Sequence, residues 1–420
     1  MRLLVVSAAF PPHNSVGAVR VGKLAKFLHL RGHDVRIVSV KDSPRAQTLP
    51  VEVPPEFVTY TDGVNINWLP ELILGGRKKV VREGFQSNNG RLAALGRLYK
   101  ELFNFPDQLV GWIPFAYLAA TRVAREFKPD ALYASGGPWS SLLTAHLVHR
   151  RLGIPWFAEF RDPWTDTPLY HHSRIRTFLE RAIERRVVSS CLGLITASEP
   201  WTERLGRSFS KPAVTVRNGI DLDDVAAAQS VRCASEDKLS IVHTGLIHPG
   251  KRDPAPLFDA IRRLGPLGGR VQVTFIGTKQ KEIPTLAQAY RVESAVNTLN
   301  SVPRSEALAY QRGADLLLLL LWDPGEADVY PAKLFEYAAM KRPILLIGPQ
   351  EGVAAKLIRD RGLGMVSNEP ERIANYISAQ FTSGVERPRP TTGSVEGLER
   401  HQQFLILEEF LESRLWSSPD

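Results

Sequence analysis

Cysteine is nearly absent. Only Cys191 and Cys233 occur among 420 residues, far apart and without a partner motif. That pattern fits a reducing cytoplasm and offers neither a disulfide framework nor a zinc finger. Long apolar runs are missing too. The longest, Ala314 to Trp322, is broken by Asp315 and has the length of a buried strand rather than of a membrane span, which takes about eighteen residues or more. The N-terminus opens directly on a strand-like stretch, without the basic head, apolar core and small-residue cleavage site of a secretory leader. A cytoplasmic location, free or at the inner face of the membrane, is therefore expected. Acidic residues are in deficit, 44 against 53 Lys and Arg, giving a net charge of +9 and a pI near 9.5. Such a balance favours anionic partners: phosphorylated substrates, an anionic membrane face or nucleic acid. The cations are spread along the chain with no aromatic-interleaved basic module or recognition helix, so nucleic acid is the least supported and is not expected.

What is present is a globular composition, 44% apolar, in a chain long enough for two domains. The opening reads as a βαβ unit: a strand Leu3 to Ser7, a loop with Pro11, Pro12 and Gly17, a helix Ala18 to Leu30, and a strand Val35 to Val40. The loop lacks G-x-G-x-x-G, which argues against a nicotinamide or flavin site at this turn. Gly17 would permit close approach of an anion or sugar, or serve as a plain turn glycine. From Lys41 to Gly111 the pattern weakens, with Asn88-Asn89-Gly90 and a helix expected near Arg91 to Phe103. Order returns with a helix Ile113 to Phe127, a strand Ala131 to Ser135, a helix Ser140 to Leu152 and a strand Trp156 to Phe160, an alternation that demands a helix-covered parallel sheet.

Arg161-Asp162-Pro163-Trp164 follows that strand, where reactive groups project in such sheets. Arg161 could steer an anion and Asp162 hold a hydroxyl acceptor; a structural Arg–Asp clasp plugged by Trp164 is the alternative. The helix His171 to Ser189 sets Ile175, Phe178 and Leu179 against several arginines, as an ordinary solvated helix or as one touching an anionic membrane. Asp221 to Lys238 is polar and Ala-rich and reads as the interdomain linker.

A second sheet begins at Leu239 to His243. The loop after it, with Gly245, Gly250, Lys251 and Arg252, is a phosphate-cradle candidate at the entrance of a helix Ala255 to Leu264, although its spacing is not that of a Walker A loop. Strands are expected at Val271 to Ile276, Leu316 to Leu321 and Ile344 to Ile347, with a helix Pro303 to Gln311 between. The stretch Asp328 to Glu336 brings two carboxylates together across Pro331, which suits a helix start. Lys333 would add a cation at that start, and Glu336 could accept hydrogen bonds from sugar hydroxyls. A capped structural helix with a solvated lysine and a paired glutamate would look the same. A last amphipathic helix, Leu398 to Leu415, needs a surface to pack on.

Two doubly wound halves, the strand-Pro-Pro-loop-Gly-helix opening, Asn218-Gly219-Ile220-Asp221 at the junction, and the carboxylate-x7-Glu helix together resemble the family 4 retaining glycosyltransferases of GT-B fold. The resemblance implies an α/β fold of two Rossmann-like domains facing across a cleft: an acceptor-side domain 1–222, a nucleotide-sugar domain 223–395, and a terminal helix 396–420 crossing back to the first domain. It also implies a nucleotide-sugar donor, a sugar or lipid-linked hydroxyl acceptor, and no metal or other cofactor. By motif position Glu336 would bind ribose hydroxyls, Asp328 would stand beside the donor sugar, Lys251 would neutralise the diphosphate, and Gly17 would approach the donor. His13 and Asp162 become candidates for positioning the acceptor. Two departures stand out. Gly245-Leu246-Ile247 replaces the family's Gly-Arg-Leu, so that Arg252 or Lys333 would take the arginine's place, and Asp328 replaces a glutamate. The Pro331-x-Lys333-x-x-Glu336-Tyr337 form resembles the branch that builds bacterial surface polysaccharides. A nucleotide-sugar epimerase of the same architecture and a non-catalytic GT-B subunit are the competing readings.

Overall fold

A computed structural model describes residues 1–42, 46–67, 98–99, 101–167, 172–247, 250–277, 282–382 and 393–416. The expected Asn88-Asn89-Gly90 turn and most of the expected 91–103 helix lie outside them. The chain divides into two compact units, one of Met1–Val216 with Phe404–Asp420, the other of Arg217–Gln403.

The first unit is built on β1 (Arg2–Val6), β2 (Asp34–Val40), β3 (Val58–Thr61), β4 (Ala131–Ser135), β5 (Trp156–Phe160), β6 (Gly193–Thr196) and β7 (Ala213–Thr215). They form one sheet in the order β3-β2-β1-β4-β5-β6-β7, with every pairing parallel. Residues of β1, β4 and β5 are buried on both faces, as a sheet sandwiched between helices requires. The first crossover is the helix Val16–Leu30, started by Ser15, whose hydroxyl accepts from the Ala18 N–H at 3.1 Å. The helices Ile113–Phe127 and Ser140–Leu152 match the sequence reading. The latter stops at Gly153, in the left-handed region at φ 73°.

The second unit repeats the plan with β8 (Leu239–Thr244), β9 (Val271–Ile276), β10 (Val296–Leu299), β11 (Leu316–Leu320), β12 (Ile344–Ile347) and β13 (Gly364–Val366). Their order is β10-β9-β8-β11-β12-β13, again all parallel. The five leucines of β11 are all fully buried, which is why their run is continuous rather than alternating. Both sheets therefore reverse strand order beside their first strand, and the crevice at the carboxyl ends there is where ligands settle in such folds.

Two expectations are corrected. Residues Asp221 to Lys238 are not a loose linker but part of the second unit. They contain the helix Leu222–Ala227, the Val231 N–H donates to the Ala309 carbonyl at 3.0 Å, and Arg232 pairs with buried Asp315 at 2.8 Å. Their polarity serves these contacts rather than solvent. The weak pattern after Lys41 also conceals β3, a half-buried edge strand too short to show alternation.

The last helix, Arg400–Trp416, packs Phe404, Leu407 and Leu411 into the core of the first unit beside Leu3, Val5 and Phe157. Just before it, Glu399 bridges in parallel to Ile220, with Ile220 donating to the Leu398 carbonyl at 2.8 Å and Arg400 to the Ile220 carbonyl at 2.7 Å. Gly219 sits where a Cβ would come within 2.4 Å of the Arg400 Cα, so the Asn218-Gly219-Ile220 motif serves this backbone clasp.

Candidate functional site

In the second unit the expected residues gather at the carboxyl end of β8. Helix Ala332–Ala339 begins after Pro331, whose φ of −66° is preset for the entry. Its second residue is Lys333, which donates its ammonium to the Thr244 carbonyl at 2.7 Å. Gly245 makes room for it. Its φ of 110° belongs to glycine, and a Cβ there would stand 2.9 Å from the lysine Nζ. Burial pulls the Lys333 ammonium down to about 7, with nearby Arg252 adding to the effect and Glu336 and Glu326 opposing it.

One turn further along, Glu336 accepts from Arg304 Nη2 at 2.9 Å and from Gln311 Nε2 at 3.4 Å, with its side chain 25% exposed. Arg304 also pairs with Asp224. A carboxylate has about four lone-pair sites, so these partners orient Glu336 and leave acceptor capacity for hydroxyls. Tyr337, on the buried side, accepts from the Thr244 N–H at 2.9 Å, and burial pushes its phenol up to about 12. Gln311 Nε2 donates to Thr244 Oγ1 at 3.0 Å. The strand end is thus held from two helices.

Sequence reasoning passed over Glu326. Burial opposes its charge, yet Arg252 beside it holds the carboxyl below the usual range. Arg252 Nε donates to Glu326 Oε2 at 3.0 Å, as does the Trp322 N–H at 2.8 Å, and a second Arg252 nitrogen meets Oε1. This bidentate pair ties the loop after β8 to the loop after β11. Lys251 lies across the same junction, its Nζ 4.3 Å from the centre of the Trp322 ring. Asp328 is half-buried on the loop between β11 and the Ala332–Ala339 helix. His243, fully buried, uses Nδ1 on the Leu318 carbonyl at 2.9 Å; burial and then the charge of Lys333 keep its ring neutral.

In the first unit Gly17 and Arg161 come together. The guanidinium lies so close over Gly17 that a Cβ would fall 1.8 Å from Nη1. Arg161 Nε donates to the Gly136 carbonyl at 2.9 Å and another nitrogen to that of Gly137. Asp162 is exposed beside it. Trp164 stacks on Trp139 at 5.4 Å and donates to Glu180 at 2.8 Å, so it plugs the loop from beneath. His13, expected on the acceptor side, is 2% exposed and donates Nε2 to the Val40 carbonyl at 3.1 Å. Its burial follows from the short antiparallel bridge to Gln47. Beneath the Arg161 loop an unforeseen pair, Arg20 and Glu159 at 2.7 Å, is buried, with Arg20 also donating to the Val216 carbonyl at 2.8 Å. Among the described residues one group, His33, Glu408 and Glu412, has ligand atoms within 4.8 Å of one another, as a metal would need. Arg31 already pairs with Glu408 at 3.2 Å.

Two doubly wound parallel α/β units define the fold of the GT-B glycosyltransferases. The family model described as glycosyl transferase 4-like domain matches residues 17–219. No curated protein sequence matches the chain. Among solved structures it is similar to sucrose-phosphate synthase (tll1590) from Thermosynechococcus elongatus, at 12% identity and TM-score 0.66, covering 99% of this chain and 100% of the other. Anabaena Alr3699/HepE, solved in complex with UDP and glucose, is 13% identical with TM-score 0.60, covering 98% and 99%. A UDP-N-acetylglucosamine 2-epimerase is 12% identical with TM-score 0.55, covering 100% and 98%. At these identities the likeness is one of fold.

Proposed function

We propose that the chain is a retaining glycosyltransferase that moves a hexosyl-type sugar from a nucleotide-sugar donor to a hydroxyl of a sugar or lipid-linked acceptor, in polysaccharide or glycoconjugate biosynthesis. The second unit takes the donor and the first the acceptor. The observation that carries this reading is the Lys333 ammonium, held on the Thr244 carbonyl over Gly245 at a helix start, with the Arg252 charge nearby. A diphosphate is the ligand such a site suits: two cations and backbone N–H groups at the strand end where the order reverses. HepE, of the same fold, holds UDP and glucose, which supports a uridine donor.

In this mechanism Glu336, oriented by Arg304 and Gln311, accepts from the ribose hydroxyls. Lys333 and Arg252 stabilise the charge that grows on the departing diphosphate, and Lys251, lifted by Trp322, reaches the same phosphates. Asp328 contacts the donor sugar. Arg161 and Asp162 position the acceptor, whose proton passes to the leaving phosphate as the new glycosidic bond forms on the same face. No protein nucleophile and no metal enters the step.

The test is product analysis by NMR after incubation with UDP-sugars and simple glycoside acceptors. A new glycoside with the donor's anomeric configuration is expected. Inverted product would overturn the retaining assignment, and conversion of the nucleotide sugar to an epimer without acceptor would replace the transferase reading by the epimerase one.

A further inference from the structure

The helix Arg174–Ser189 distributes its charges unusually. Its two acids point inward: Glu180 accepts from Trp164 and from Arg176 Nε at 2.7 Å, and Glu184 accepts from Thr165 Oγ1 at 2.5 Å. Both are buried. The exposed charged residues of this helix are Arg174, Arg181, Arg185 and Arg186, with no acid among them. Between them stand Ile175, 76% exposed, Phe178, 73%, and Leu179, 48%. At about 100° per residue, Phe178, Ala182 and Ile175 form the centre line of the outer face. Arg174, Arg181 and Arg185 run along one side of that line, with Arg186 on the other. An ordinary solvated helix mixes signs for i,i+4 pairs and keeps large apolar groups turned in. Here Val187 and Val188 are turned in as usual, but Ile175, Phe178 and Leu179 stand outside and both acids inside.

A segment fastened to this helix exposes apolar groups as well. Arg176 reaches back to the carbonyls of Asn104 at 2.7 Å and Pro106 at 3.3 Å, and Ser173 Oγ donates to Glu101 at 3.2 Å. The segment so fastened exposes Leu102 at 64% and Phe103 at 54%.

We propose that this face docks on an anionic lipid bilayer, with Phe178 and Ile175 entering the headgroup boundary and the flanking arginines engaging lipid phosphates. An apolar centre line bordered by cations of one sign is the pattern of a helix lying in the membrane plane. The absence of exposed acid on the Arg174–Ser189 helix removes the repulsion that an anionic surface would otherwise meet there. This proposal rests on the surface alone and stands whether or not the chain transfers sugar.

The full-length protein is co-sedimented with vesicles of phosphatidylcholine, with and without phosphatidylglycerol. Binding to the phosphatidylglycerol vesicles alone is expected. Ile175→Glu with Phe178→Glu should abolish it, and Arg181→Ala with Arg185→Ala should weaken it roughly thirtyfold, the weight of two cations near an anionic surface. These side chains are exposed, so both variants should melt like the parent. No binding, equal binding to neutral vesicles, or unchanged binding in the variants would overturn the proposal. So would binding that follows the arginines and ignores Ile175 and Phe178, which would mark a general polyanion site.

Discussion

Lys333 is a cation held where burial disfavours charge, and that conflict is measurable. Its pKa is lowered from 10.5 to about 7, chiefly by burial. Between those values the unfolded chain binds a proton that the folded chain lacks, so this group makes stability rise with pH across the window. Lys333→Met should raise the melting temperature at pH 7, with the gain fading as pH approaches 10.5, while donor affinity is lost. A variant less stable than the parent at neutral pH would contradict the burial argument. Lys333, Gly245 and Glu336 were legible in the sequence because glycine, cation and carboxylate fall at the starts and ends of strongly patterned elements. Their partners were not. Arg304 and Gln311 come from a helix some thirty residues earlier, and Glu326 looks like any acid in a polar loop until Arg252 is folded against it. Asp162 shows the other limit, a residue placed at a strand end by pattern alone, with its role left to chemistry.

At the scale of elements, the loop after β5 is fastened to the helix Arg174–Ser189 by Glu180 and Glu184. Burial raises Glu184 from 4.5 to about 7, while its bond from Thr165 opposes the shift. The folded chain then holds a proton that the unfolded chain releases between those values, so this group's contribution falls as pH rises from 4.5 through about 7. Glu184→Gln, which keeps an acceptor for Thr165, should leave stability unchanged below that window. Above it the variant should gain about 1 to 3 kcal/mol in denaturant titrations. A gain independent of pH would disprove the assignment. Strands such as β5, β9 and β12 were readable because a parallel sheet buries both faces and leaves continuous apolar runs. The strands β3, β10 and β13 are edge strands of three or four residues, half-buried, and carry too little pattern to be seen.

At the scale of the molecule, the chain ends where it began. Phe404, Leu407 and Leu411 from the last helix complete the core around β1, though nearly the whole sequence separates them. Leu407→Ala should cost about 2 to 5 kcal/mol of the first unit's stability in chemical denaturation. A cost below about 1 kcal/mol would mean that the helix is a loose appendage. The amphipathic pattern announced this helix, but only the folded chain shows what its Phe404 and Leu407 cover. The stretch from Asp221 to Lys238 misled because a polar, alanine-rich composition looks the same in a linker as in a segment whose charges are paired, as Asp224 and Arg232 are. With identities of 12% and 13% to solved glycosyltransferase-fold proteins, the shared feature is architecture, and the donor site must be tested on this chain's own residues.

That test is a thermal-shift titration of the whole protein with UDP, GDP, ADP, CMP and TDP, repeated on Lys333→Met and Glu336→Ala. A ligand that binds the folded state raises the melting temperature by mass action, by about 2.7 kcal/mol of stability at a hundredfold excess over Kd. One nucleoside diphosphate should stabilise the parent, and both variants should lose most of that shift while remaining folded. No response to any of the five, or an undiminished response in both variants, would contradict the donor site at Lys333.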